Sequence, residues 1–398
     1  MNRILLNNFR RTHVSNCRLN TRHLTSSRPA LLPPRQPILT PTPVTSANPP
    51  VLFPRVRYVG PTLYGIALCT GSFVIAGTLY DRNQQTLWDR IQAHYARSWS
   101  FFGTTEESVL TELWQEKRKM MIEKRRAMLD SLARRLDAMQ IPLDIKRAVW
   151  IVGEKWSSMT EAERTLAGLI GINTVVFALW QVPRLKPFMA RWFLHLPGSR
   201  QNITLLTSCF SHQEFFHFTL NMVGLWSFGK VVHDALGQEQ FLAAYIGAGV
   251  GANVVSHVAS LALRRTRPLL PSLGASGAIY SLVASTAVMY PHSSISLIFL
   301  PMIPIQLGFA LPALMAFDAA GILFKWRMFD HFAHLAGAGL GIAYLEYGEK
   351  HLWAPLVQKI HKIRQGGKDG GNDGNFLWTE PAQPEQKKRN AWPGWFNK

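Results

Sequence analysis

The first residue that could do chemistry is a serine at a helix start. Gly274-Ala275-Ser276-Gly277 leads into Ala278-Ile279-Tyr280-Ser281, and Pro268 and Pro271 precede it. The prolines predict an irregular entry, with helix beginning near Ser276. A serine there could simply cap the helix. It could also be a nucleophile, provided that a base lies within hydrogen-bond reach. The matching histidine stands in Ala333-His334-Leu335-Ala336-Gly337, with Gly341 four residues on. On a helix, Gly277, Ser281 and Ser285 form one row of small residues. Gly337 and Gly341 form another, and His334 shares a face with Gly337. Two such rows permit close helix approach, and packing them together would carry His334 toward Ser276. Tyr280 is one turn from Ser276 on the same face. The other reading of His334 is a structural histidine bonded to a backbone carbonyl.

Acyl transfer from a serine also needs donors aimed at the developing oxyanion. His217 and Asn221 lie at i and i+4 on one helix face and could supply them, with the backbone N–H at Ser276. A structural polar pair is the alternative. His212 lies five residues before His217, which does not match an HExxH metal site. His331 and His334 could form a metal pair at i, i+3, but no Cys or acidic helix pattern completes it, so no metal is expected. Asp330 reads as the cap of the helix that carries both histidines. Asp318, far along the fifth of six, is the one acid of the late apolar runs that stands away from a run's ends, where Glu214, Asp234 and Glu346 lie. The expectation is therefore a Ser-His dyad without a carboxylate, opening onto a water-accessible cavity.

Those residues need elements to hold them, and composition says of what kind. The 398 residues are 47% hydrophobic but only 17% charged, against about 25% charged in soluble domains. Mean hydropathy is +0.01, so the apolar residues must be concentrated in segments. The cysteines (Cys17, Cys69 and Cys209) are odd in number and far apart, which excludes a disulfide scaffold and gives no zinc pattern. The net charge of +19 raises nucleic acid, membrane surface or import signal as partners. Its distribution decides: residues 1–80 carry nine arginines and no lysine, Asp or Glu. Nucleic acid is not expected as a partner.

Residues 1–28, rich in Arg, Ser and Asn, have the composition of a mitochondrial transit peptide. Residues 29–57 are a Pro-rich linker. Residues 58–80 are uncharged, with Tyr58, Tyr64 and Tyr80 suited to the interfaces, and are long enough to cross a bilayer. Residues 81–159 are charged and helical, with a capping box from Thr104 to Glu107 opening a long amphipathic helix over about 105–138. That helix could lie on the membrane or pack on another domain, and Pro142 stops it. A second capping box, Thr160 to Glu163, opens the next apolar run. Further runs follow at about 214–236, 240–263, 276–291, 304–324 and 331–348, so residues 160–350 hold six spans. Residues 351–398 read as a polar, flexible tail. A transporter would show repeated halves with broken helices, and no such repeat is evident.

Each motif is short, but their order within six spans is specific. His217-x-x-x-Asn221 falls in the second, Gly274-x-Ser276-Gly277 opens the fourth, and Ala333-His334-x-x-Gly337-x-x-x-Gly341 lies in the sixth. This resembles the rhomboid family of intramembrane serine proteases. Arg191-Trp192 reverses the Trp-Arg pair often found in the first loop of bacterial members. The extra span and Arg-rich presequence are similar to the mitochondrial subgroup, the presenilin-associated rhomboid-like proteases and their fungal counterparts. The resemblance implies an all-α membrane protein, a six-helix bundle plus one extra N-terminal transmembrane helix. It implies Ser276 as nucleophile, His334 as general base and acid, and His217 and Asn221 at the oxyanion. Tyr280 would pack on the histidine, Gly274 would shape the loop before the serine, and no cofactor is needed. Implied substrates are single-span inner-membrane proteins, a dynamin-related GTPase among them, cleaved within the lipid bilayer of the mitochondrial inner membrane. The alternative within the family is a catalytically inactive relative that binds membrane clients.

Overall fold

A computed structural model of the chain describes residues 57–97, 106–297 and 300–365. The expected transit peptide, nearly all of the Pro-rich linker, Thr104 and the end of the tail lie outside the described residues. The described chain is helical apart from one hairpin. Six helices form the bundle that carries the chemistry: α4 (Glu161–Gln181), α7 (Phe215–Leu236), α8 (Gln238–Ala262), α9 (Ser276–Met289), α10 (Leu307–Leu323) and α11 (His331–Ala343). Ahead of them come α1 (Val59–Arg97), α2 (Glu106–Ala138) and α3 (Leu143–Ser158), and α5 (Lys186–Trp192) and α6 (Thr204–Thr207) lie in the connection from α4 to α7. Helix α11 continues through a π-helical stretch, Tyr344–Trp353, into α12 (Ala354–Arg364).

The start of α4 follows from its sequence. The Thr160 hydroxyl accepts from the Glu163 N–H, and the Glu163 carboxylate accepts from the Thr160 N–H, the reciprocal capping box. Helix α9 sits at the centre of the bundle. Ala278, Leu282, Ala284 and Ala287 are buried, against Leu166, Leu225 and Tyr245 on one side and Leu307, Leu311 and Ala338 on the other. Large apolar side chains point outward on the periphery, among them Leu63, Ile75, Ile172, Val175 and Phe216, as a lipid-facing surface requires. Helices α1, α4 and α8 include stretches long and apolar enough to cross a membrane, whereas α9 and α10 are shorter apolar helices.

Three boundaries differ from the sequence expectation. Helix α1 does not stop at 80 but runs to Arg97. The flexible tail expected from 351 is helical to Arg364, with Trp353 and Val357 buried against Phe73, Ala76 and Tyr80 of α1. Asp81 fixes this contact: its fully buried carboxylate accepts from His361 Nδ1 at 2.8 Å and from Arg364. Residues 304–306, expected in the fifth span, belong to a hairpin of β1 (Ser294–Leu297) and β2 (Leu300–Gln306), paired antiparallel from Ser294 and Gln306 inward. Pro301 and Pro304, which offer no backbone N–H, disfavour regular helix there.

Candidate active site

Backbone contacts from the α4–α7 connection hold the segment leading into Ser276. His195 and Ser272 exchange N–H···O=C bonds of 2.9 and 2.8 Å, and the Gly274 N–H donates to Ser208 O at 2.9 Å. The Ala275 N–H donates to His212 Nε2 at 3.3 Å. His212 is fully buried, and burial, joined by the neighbouring His217 ring, pushes its imidazolium down to about 3. It is therefore neutral, with Nε2 free to accept. Gly274 has φ +135°, and a Cβ there would stand 2.9 Å from His217 Cε1. Only glycine combines that backbone with a neighbouring imidazole. The chain then enters α9 with Ser276 as its first residue.

The two rows of small residues meet. A Cβ on Gly337 would lie 2.1 Å from Gly277 O, and one on Gly341 would lie 2.3 Å from Ser281 O. Ser285 Oγ donates to Gly341 O at 3.3 Å. With α9 and α11 in backbone contact, His334 Nε2 stands 2.9 Å from Ser276 Oγ. Tyr280 stacks on the His334 ring, with centroids 4.2 Å apart and planes 11° from parallel. His334 is buried and Ser276 is partly exposed. Such a pair can transfer the serine proton to the imidazole as the oxygen attacks.

The expectation of a dyad without a nearby carboxylate is corrected here. Asp318 Oδ1 lies 3.0 Å from His334 Nδ1 and 2.6 Å from His331 Nδ1. Position along the fifth span misleads because α10 and α11 are joined by the short segment 324–330. The end of α10 therefore lies beside the start of α11. Asp330 caps α11, accepting from the Ala333 N–H at 3.1 Å and from Ser256 Oγ at 2.7 Å. Asp318, His331 and His334 offer one ligand atom each within 4.8 Å of one another, and so could hold a metal ion. Tetrahedral ligands about 2.0–2.1 Å from zinc stand about 3.4 Å apart. The 2.6 Å contact is shorter and has the length of a charge-assisted hydrogen bond.

His217 and Asn221 share a face of α7. Asn221 is buried, and its Nδ2 donates to His217 O at 2.7 Å, leaving a second N–H. His217 packs beside Gly274 and edge-on to His212, with ring centroids 5.1 Å apart. Ser276, Gly277, Tyr280, His334, Gly337 and Gly341 thus meet where α9 packs on α11, and His217 stands beside Gly274. His212 and Asp318 join them. The one signal for Asp318 in the sequence is the cost of an acid within an apolar run. His212 gives none beyond being a polar residue before a span.

Residues 199–348 match the family model described as Rhomboid domain. The human presenilin-associated rhomboid-like protein, mitochondrial, is 43% identical over 225 residues, covering 55% of this chain and 59% of that protein. Rhomboid protein 1, mitochondrial, of Saccharomyces cerevisiae is 35% identical over 210 residues, covering 52% and 59%. RHOMBOID-like protein 12, mitochondrial, of Arabidopsis thaliana is 26% identical over 165 residues. The chain spans about three fifths of the length of the human and yeast proteins. With the helix order and the matched segment agreeing, residues 199–348 form a rhomboid domain similar to that of these mitochondrial relatives.

Proposed function

We propose that the chain is an intramembrane serine endopeptidase of the mitochondrial inner membrane, cleaving membrane-anchored proteins in or next to their transmembrane helices. The observation that carries this reading is the 2.9 Å approach of Ser276 Oγ to His334 Nε2, between two helices locked by glycines. Ser276 Oγ attacks the scissile carbonyl carbon while His334 Nε2 takes the hydroxyl proton. The tetrahedral oxyanion lies toward the backbone N–H of Ser276 and the free donors of His217 and Asn221. His334 then gives its proton to the leaving amine as the C–N bond breaks, and water hydrolyses the acyl-enzyme by the reverse sequence. The mitochondrial assignment is supported by the relatives' names and by the acid-free, Arg-rich segment before the first apolar run. The presenilin-associated name of the relatives suits membrane-protein partners. Among single-span inner-membrane proteins, a dynamin-related GTPase is the substrate to test first.

The test uses the full chain in proteoliposomes with a single-span reporter. The wild type should release the soluble fragment, and Ser276→Ala should abolish release and labelling by a fluorophosphonate probe. Equal cleavage by the two proteins would overturn the assignment. Cleavage by neither, with reporter still captured, would point to an inactive client-binding relative.

A further inference from the structure

We propose that Asp318 is a positioning residue that fixes the tautomer of His334, with His331 holding the carboxylate in place. This deepens the reading of Ser276 and His334 as nucleophile and base and rests on it. Asp318 is fully buried in α10, a helix otherwise made of apolar residues and glycine. A carboxylate in such a place is costly unless hydrogen bonds offset its desolvation. Two are present, and both converge on Oδ1.

An ionised carboxylate only accepts, so each histidine that faces it must present Nδ1–H. A neutral imidazole carries one N–H. His334 with its proton on Nδ1 therefore turns a bare Nε2 lone pair toward Ser276 Oγ, 2.9 Å away. That is the only neutral tautomer able to receive the serine proton. Among the described residues no other acceptor is bonded to His334 Nδ1, and Tyr280 stacks on the ring face, constraining its plane but not its proton. When the imidazole becomes imidazolium, the positive charge forms beside the carboxylate.

His331 completes the device. It is one turn before His334 on α11 and makes the shorter bond to Asp318, 2.6 Å. Room for its ring comes from Gly321, where a Cβ would lie 2.4 Å from the imidazole. Phe317, Trp326 and Phe329 surround the ring. A carboxylate held by one histidine alone could rotate about its terminal torsion. Held by two, it stays aimed at His334 Nδ1.

The experiment is made on the full chain in proteoliposomes. Asp318→Asn should lower kcat by roughly 10²–10⁴-fold, with KM within about twofold because no substrate contact is lost. Asp318→Glu should recover part of the rate. The second measurement needs no Asp318 variant: ¹⁵N-histidine solid-state NMR of the wild type, with His334 assigned by its loss in His334→Gln. The expected signature is a neutral His334 protonated at Nδ1, and a ring protonated at Nε2 would overturn the proposal however the variants behave. A kcat for Asp318→Asn within about threefold of wild type would overturn it too, while leaving the assignment of Ser276 intact. Cleavage that survives Ser276→Ala would instead refute the site itself.

Discussion

Replacing Gly337 by alanine tests whether backbone contact between α9 and α11 sets the reactive distance. The added Cβ would lie 2.1 Å from Gly277 O, 2.9 Å from Gly277 C and 3.2 Å from Gly277 Cα. All three atoms are main chain, so no side chain can rotate out of the way. Restoring an ordinary contact of about 3.4 Å requires the helices to separate by about 1 Å. Gly337 is one turn after His334, and Gly277 directly follows Ser276, so the separation falls on the site. A Ser276–His334 bond of 2.9 Å would open to nearly 4 Å, beyond hydrogen-bond range. Misplacement by about 1 Å costs about 10²-fold in rate, equal to ~2.7 kcal/mol of transition-state stabilisation. Overpacking should also lower stability by about 1–3 kcal/mol. The assay is initial-rate cleavage of a single-span reporter in proteoliposomes, with near-ultraviolet circular dichroism to confirm a folded protein. Gly339→Ala is the control, since nothing lies within 4 Å of a Cβ there. A folded Gly337→Ala protein with kcat within about threefold of wild type would refute the reasoning.

Two further substitutions probe the rest of the site. Asn221→Ala should slow cleavage by about 2.7–4 kcal/mol of barrier if its free N–H serves the oxyanion, and an unchanged kcat would remove it from that role. Gly274→Ala should impair the serine loop twice over, through its φ of +135° and through the 2.9 Å approach to His217. Fluorophosphonate labelling of Ser276 should fall with cleavage, and normal labelling would show that the loop tolerates the change.

The meeting of Ser276 with His334 was legible because small residues repeat at helical spacing on both helices, and close packing leaves few ways to combine them. The start of α4 was legible because a capping box is local chemistry. Asp318 was misplaced for a geometric reason: distance along a span says nothing about which end of the next antiparallel helix lies beside it. His212 was invisible because it works in a loop, where no periodicity marks its partner. Helix α12 was read as tail because its Lys, His and Arg content hides the short apolar set Leu356, Val357 and Ile360 that meets α1. Residues 304–306 of the hairpin were absorbed into the fifth span because Ile305 looks like a continuation of its apolar run.

Asp81 and its partners His361 and Arg364 lie 280 and 283 positions apart in the chain. Closing a loop of that length costs about 5 kcal/mol in chain entropy if it forms first, and much less once the intervening bundle has assembled. The joint between α1 and α12 is therefore far easier to close once the intervening helices have packed. Until α12 arrives, the Asp81 carboxylate lacks both the His361 and the Arg364 hydrogen bonds. The burial of Asp81 thus depends on a segment 280 positions away, and a chain cut before His361 would leave that carboxylate buried without these partners.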